Sequence, residues 1–265
     1  MTTASALHPP RAPASQRFVD LLVWGGLVGL LAVGFQATEL HNASKIFTNA
    51  DNIREFGGAF LHPDFSQWTL IVRMMWLTLM IALWGTVLAM IIAIPLGLLC
   101  ARNVTPVFIQ QPMRLLVNLL RSIPDLVIGL AFIVVVGLGP FAGVMAFAIN
   151  TGAVLAKLFS EAVEAIDARP VEGVKATGAS PLQQIVWGVI PQVAPLWTSY
   201  ALYRFESNAR SATVLGLIGA GGIGQLLYES LNGFDYKLAA AIVIVIVAAV
   251  TLIDLLSQAM RNRLI

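Results

Sequence analysis

The sequence predicts an all-α integral membrane protein with about six transmembrane helices. Three observations carry that expectation. Of 265 residues, 58% are hydrophobic and only 11% are charged, whereas a soluble domain is about one-quarter charged. Six apolar runs approach the length that a bilayer requires. The basic residues also fall unevenly on the two sides that those runs define.

The opening stretch is polar, carries Arg11 and Arg17, and reads as a cytoplasmic tail over residues 1–17. The apolar run Leu21 to Phe35 follows. A cleaved signal peptide is the rival reading. An uncleaved first span over 18–37 is preferred, because further spans follow and Phe18 and Val19 extend the run. The remaining spans are expected near 70–99, 114–136, 139–159, 192–214 and 237–258, so that 18–265 forms the transmembrane body. Each must be helical, since lipid offers backbone N–H and C=O groups no partner.

With the N-terminus in the cytoplasm, Arg11, Arg17, Arg102, Arg114, Lys157, Arg169, Lys175, Arg261 and Arg263 lie on the inner side. Lys45, Arg54, Arg73 and Lys237 lie outside. This asymmetry places both termini in the cytoplasm. Segment 38–69 is then the first outer loop, and Trp68 and Trp76 suit an interfacial belt. Gly25-x-x-x-Gly29 and Gly139-x-x-x-Gly143 are candidate close helix contacts, although such spacings are common in apolar helices.

Several function classes are disfavoured. A net charge of +2 without a long basic run does not suit nucleic acid. The lone Cys100 excludes an internal disulfide, and His8, His41 and His62 form no metal-ligand cluster. Gly219-Ala220-Gly221-Gly222-Ile223-Gly224 satisfies a dinucleotide-loop pattern, but no strand–turn–helix unit surrounds it. A tightly packed irregular turn between spans fits it better, with a plain connection as the other reading. No Walker-type phosphate loop and no HExxH or GxSxG pattern occurs, so neither ATP binding nor hydrolytic chemistry is expected of the chain itself.

The longest polar interruption of the second half runs over 160–191 and is expected in the cytoplasm. Ser180-Pro181-Leu182-Gln183 is a helix start, with Ser180 as N-cap, Pro181 in the first turn and Gln183 closing a capping box. Leu182, Ile185, Val186 and Val189 then repeat at helical spacing. Pro191 is expected to stop or kink this helix, and Gly178 separates it from the preceding helical stretch. The loop therefore reads as two short helices around a glycine corner, one with an exposed apolar stripe. A docking element and a helix lying on lipid are both compatible with it.

Glu172-Gly173-Val174-Lys175-Ala176-Thr177-Gly178, followed after nine residues by Gly188-Val189-Ile190-Pro191, resembles the EAA loop of ABC-importer permeases. Glu172, Gly178 and Pro191 match that pattern in register, whereas Gly173, Val174, Gly188 and Ile190 depart from it. The resemblance extends to the phosphonate-transporter permease through Phe65-Ser66-Gln67-Trp68, the run Val136 to Gly143, Ser160 to Ile166, Tyr203 to Asn208 and Arg210 to Val214, continuing to Gly219–Gly224. The Arg210-Ser211-x-x-Val214-Leu215-Gly216 portion is similar to methionine-type permeases as well.

This resemblance implies a type I importer permease in the bacterial inner membrane, embedded in lipid and paired with a second copy of itself around the pore. It implies two ABC ATPase subunits that bind ATP and magnesium, a periplasmic substrate-binding protein, and no cofactor or catalytic residue in this chain. Residues 178–190, including Ala179, Ser180, Pro181, Leu182 and Ile185, would form a coupling helix against the ATPase, and Glu172 would hold the loop by hydrogen bonds. Alternating access would follow, with ATP-driven closure opening the outer side. Phosphonate, phosphite or a phosphate ester is the implied cargo; methionine, glycine betaine or another small solute is the alternative. A secondary transporter would need an internal inverted repeat, which is not seen.

Ionisable residues inside spans must line water or pair. Counting from Pro191 at 1.5 Å per residue places Arg204 about 20 Å and Arg210 about 28 Å along span five, in the outer half. Arg204 reads equally as a cationic lining for the anion or as half of an inter-helix salt bridge. Glu206 and Arg210, four apart, are expected to pair, with a place for Arg210 on the substrate path as the other reading. Ser207, Asn208 and Ser211 add hydrogen-bonding groups or helix contacts. Arg121 and Asp125 flank Pro124, which is expected to kink span three; mutual pairing is their default and a place on the substrate path the alternative. Asp254 is expected to cap or pair.

Overall fold

The computed structural model describes residues 14–40, 42, 45–48 and 50–263. His8, His41 and most of the expected tail lie outside the described residues. The chain divides into two units, 1–58 and 59–265. In the first, α1 (Ala14–Ala37) begins inside the expected tail, and the short helices α2 (Lys45–Thr48) and α3 (Ala50–Ala59) follow. The apolar side chains of α1, among them Leu21, Trp24 and Leu30, are exposed all round. Its length and apolar composition over Phe18–Ala37 make it a candidate membrane span.

The second unit is built on α4 (Trp68–Cys100), 33 residues long, and α7 (Pro140–Glu164), which pack along their lengths. Their seam is lined with small residues: Ala82, Gly85, Ala89, Ala93 and Gly97 on α4, and Ala146, Gly152 and Ala156 on α7. Lipid tails solvate leucine as well as another helix does, so association depends on close backbone approach. The approach is closest at two glycines. A Cβ on Gly85 would lie 2.6 Å from Phe147 Cβ, and one on Gly97 would lie 2.8 Å from Phe159 Cβ.

Span three departs from expectation. It is two helices, α5 (Val107–Ser122) and α6 (Asp125–Val136), bent by 88°. Pro124 disfavours helical geometry in the residue before it. Ile123 (φ −88°, ψ 122°) and Pro124 (φ −58°, ψ 143°) are both extended, so the helix breaks instead of kinking. The break separates Arg121 from Asp125, and the expected ion pair does not form; Asp125 Oδ1 accepts from the Leu126 amide instead.

Next come α8 (Ala168–Ala176), α9 (Pro181–Gln184), a π-helical turn (Ile185–Val189) and α10 (Ile190–Leu215). Pro191 neither stops nor kinks this helix, which runs on through residues 181–220. The π turn, whose Ile190 amide reaches back to the Ile185 carbonyl, absorbs the steric demand of the proline ring. The second short helix of the polar loop is thus the beginning of span five. A further π turn (Gly216–Ala220) leads at a 59° bend into α11 (Ile223–Asn232), and α12 (Tyr236–Arg261) ends the fold.

Among the described residues, four helices are long and apolar enough to cross a membrane, and up to six spans result when each bent pair counts as one. No strand occurs among the described residues. The glycine-rich segment is the packed turn expected: Gly219, Gly221 and Gly222 have positive φ, Gly139 N donates to Gly219 O at 3.0 Å, and Ile223 N donates to Thr78 Oγ1 at 2.8 Å.

Candidate functional site

Two polar regions stand out against the apolar bundle. The first is the arm formed by α8 and the start of the long helix. Asp167 caps α8, accepting from the Arg169 amide at 3.0 Å and pairing with its guanidinium at 2.6 Å. The Arg169 side chain, with its backbone N–H, holds the Asp167 carboxyl below the usual carboxylate range. The chain turns at Gly178, whose φ of +81° suits glycine. Beyond it the capping box is complete: Ser180 N donates to Gln183 Oε1 at 2.8 Å, and Gln183 N donates to Ser180 Oγ at 3.5 Å. Gln184 Nε2 also donates to the Ala179 carbonyl at 2.8 Å.

The two sides of the arm close on each other. A Cβ on Gly188 would lie 3.0 Å from Val171 Cα. Gln192 accepts from the Asp167 amide at 3.2 Å and donates to the Gly188 carbonyl at 2.7 Å. Between the sides lies a cleft of about 300 Å³ lined by Val104, Ile166, Val171, Glu172, Lys175 and Ile185. The expected apolar stripe divides. Val189 is buried and Ile185 half-buried, whereas Leu182 (69% exposed), Val186 and Trp187 (70% exposed) face outward.

Glu172 is exposed on α8 and makes no hydrogen bond among the described residues, so it does not hold the loop. Asp167 and Gln192 do. The arm's root is held by Glu164, which binds the Arg114 guanidinium, accepts from the Arg102 amide at 2.9 Å and lies 3.5 Å from Arg102 Nε. Asn103 Nδ2 adds a bond to the Val163 carbonyl at 2.7 Å. Sequence spacing signals none of these long-range partners.

The second region lies on α10. Asn208, 1% exposed, bridges three helices: its Nδ2 donates to Thr86 Oγ1 on α4 and its Oδ1 accepts from Thr151 Oγ1 on α7, both at 2.9 Å. Arg204 Nη2 reaches Thr151 Oγ1 at 3.4 Å, and its Nε is buried without a partner. Glu206 pairs with Arg210 at 2.9 Å, as its spacing predicts, and also with Arg261 at 3.0 Å. Asp254 pairs with Arg210 at 2.9 Å. Tyr203, Ser207 and Ser211 occupy the open side of the helix, exposed or half-buried.

These contacts place the charged segment against α12 and α7. The helix is continuous from Pro181 to Ala220, through Pro191. Arg210 and Glu206 meet Asp254 and Arg261 in the C-terminal third of α12, and Asn208 meets Thr151 near the middle of α7. The charged segment of α10 therefore lies level with the C-terminal third of α12.

The chain matches the family described as binding-protein-dependent transport system inner membrane component over residues 93–265. It is 36% identical over 262 residues to the phosphite transport system permease protein PtxC of Stutzerimonas stutzeri, with 94% of this chain and 95% of that one covered. It is 54% identical over 121 residues to "Putative cryptic phosphonate transport system permease protein PhnE2" of Escherichia coli strain K12, covering 46% of this chain and 99% of that one. A chain of the inward-facing MetNI methionine ABC transporter superposes with a TM-score of 0.67 at 22% identity, over 76% of this chain and 99% of that one. At that identity the likeness is one of fold.

Proposed function

The chain belongs to the family of binding-protein-dependent transport system inner membrane components, and from that premise we propose that it is the pore-forming permease of an ATP-driven importer for a small phosphorus oxyanion. The observation that carries the reading is the polar arm. Its α9 segment continues without a break into span five, so a push on Leu182 or Trp187 is delivered along one rigid element to the charged segment at Arg204–Arg210.

On this reading the outward-facing Leu182, Val186 and Trp187 dock in an ATPase subunit, which binds ATP and magnesium and performs the hydrolysis. Glu172 lies exposed beside that surface as a docking charge, and Gly178, Ala179, Ser180, Pro181 and Ile185 shape the arm. A second copy of the chain completes the pore, and a periplasmic binding protein delivers the cargo. Both termini face the cytoplasm. ATP-driven closure of the ATPases brings the two arms together and opens the outer side; hydrolysis resets them. Relatives named for phosphite and phosphonate transport support a cargo with tetrahedral phosphorus and charged oxygens. Its path passes the open face of α10, with Arg204, Ser207 and Ser211, and Arg121 near the break in span three.

Cys100, the sole cysteine, is buried, so an introduced thiol is labelled without interference. A cysteine at Leu182 should cross-link to a co-expressed ABC ATPase and be protected from reagents applied outside intact cells. Labelling from outside, or purification without any ATPase under mild conditions, would overturn the reading.

A further inference from the structure

We propose that Arg204 is the group in this chain that directly contacts the translocated anion, while Arg210 holds the fold. The inference rests on the importer reading above and narrows it to one side chain. A charged group within a membrane span is costly unless it is paired or faces water. Of the arginines on α10, Arg210 shares two carboxylates, Glu206 at 2.9 Å and Asp254 at 2.9 Å. Arg204 has no ion pair among the described residues.

What Arg204 has instead is a positioning contact. Its Nη2 donates to Thr151 Oγ1 at 3.4 Å; Thr151 donates to Asn208, Asn208 donates to Thr86, and Thr86 donates to the Ala82 carbonyl at 2.7 Å. Three helices thus orient one guanidinium without neutralising it. Its surroundings are polar where lipid would demand hydrocarbon. Tyr203 is exposed, Ser207 and Ser211 are half-buried, and neither serine hydroxyl bonds within the described chain. The break in span three adjoins the same place: Asn150 Nδ2, next to Thr151, takes up the freed Ile123 carbonyl at 3.0 Å. Arg121, two residues earlier, is also exposed and unpaired among the described residues.

A fork of guanidinium donors beside free hydroxyls matches an oxyanion with two or more charged oxygens on one centre.

The test uses the permease assembled with its ATPase and binding protein in proteoliposomes, with phosphite as probe. Arg204→Gln should lower the uptake rate by about tenfold or more, the loss expected for one charge-assisted contact. The yield of assembled complex should stay near wild type. Arg204→Lys should recover most of the uptake, with a raised half-saturating phosphite concentration. Wild-type uptake in Arg204→Gln overturns the proposal, as does loss of assembled complex in both the Gln and Lys variants. If wild type hydrolyses ATP with its binding protein but moves no phosphite, phosphonate or phosphate ester, the cargo reading fails and this contact fails with it.

Discussion

Gln192 and Asp167 exchange two hydrogen bonds across 25 residues, the Gln192 amide accepting from the Asp167 N–H at 3.2 Å and donating to the Asp167 carbonyl at 3.3 Å. The same amide nitrogen lies 2.7 Å from the Gly188 carbonyl. One side chain therefore ties the start of α8 to the π turn at the head of α10. Pro191 leaves this stretch of the helix short of an N–H donor, and Gln192 supplies one from a side chain.

Gln192→Leu keeps the volume and removes the tie. Each exposed bond is worth about 0.5–1.5 kcal/mol net, so the bundle should still fold. The arm should loosen from the long helix, and uptake should fall several-fold while basal ATP hydrolysis by the complex persists. Equal rates of uptake per ATP hydrolysed in wild type and variant would show that the tie transmits nothing.

Asn208 makes a different kind of contact. Its amide is buried between Thr86 and Thr151. Asn208→Ala leaves Thr151 without its acceptor in a place water does not reach, at about 1–3 kcal/mol. The melting temperature in detergent should drop clearly for Asn208→Ala and hardly at all for Ser207→Ala, whose hydroxyl has no partner among the described residues to lose. Equal melting temperatures for the two variants would contradict the bridging role.

These two residues also show where sequence reasoning reaches its limit. The capping box at Ser180 and the Glu206–Arg210 pair are local, three or four residues apart, and both could be read directly. The partners that fix the site are distant: Asn208 with Thr86 across 122 residues, Glu206 with Arg261 across 55, Arg210 with Asp254 across 44. No spacing rule announces such pairs. The two prolines mark a second limit. Pro124 and Pro191 both carry the sequence signal of an interrupted helix, yet one breaks its span by 88° and the other is absorbed in a π turn. The difference lies in whether neighbouring groups take up the freed backbone positions in helical geometry. The spans themselves were legible because hydropathy is set by the solvent, whereas the side-to-side matching of helices is set by small residues that look alike on every face.

Gly178 tests the corner of the arm. A Cβ there meets nothing within 4 Å, so any penalty comes from the backbone, φ +81°. Left-handed geometry costs an ordinary residue about 1–2 kcal/mol, with asparagine more tolerant. Gly178→Asn should keep ATPase binding and uptake. Gly178→Val should weaken both, with the protein still inserted in the membrane. The test reads co-purified ATPase against permease; equal ratios in the two variants would show that the corner's conformation is irrelevant to docking.

Glu206 is the anion on which two cations converge, Arg210 on its own helix and Arg261 at the end of α12, and it is only 9% exposed. Glu206→Gln removes the charge and leaves both arginines facing an amide. Breaking a buried ion pair from one side costs about 3–5 kcal/mol; here Arg210 keeps Asp254 and remains partly exposed, which favours the lower end. Folded permease should fall sharply in yield and melting temperature. Removing Arg261 as well, in Glu206→Gln/Arg261→Gln, should restore part of the loss, because no cation is then stranded. Failure of the second substitution to restore anything would mean that Glu206 acts through packing alone, leaving the Arg210–Asp254 pair as the charge contact between α10 and α12.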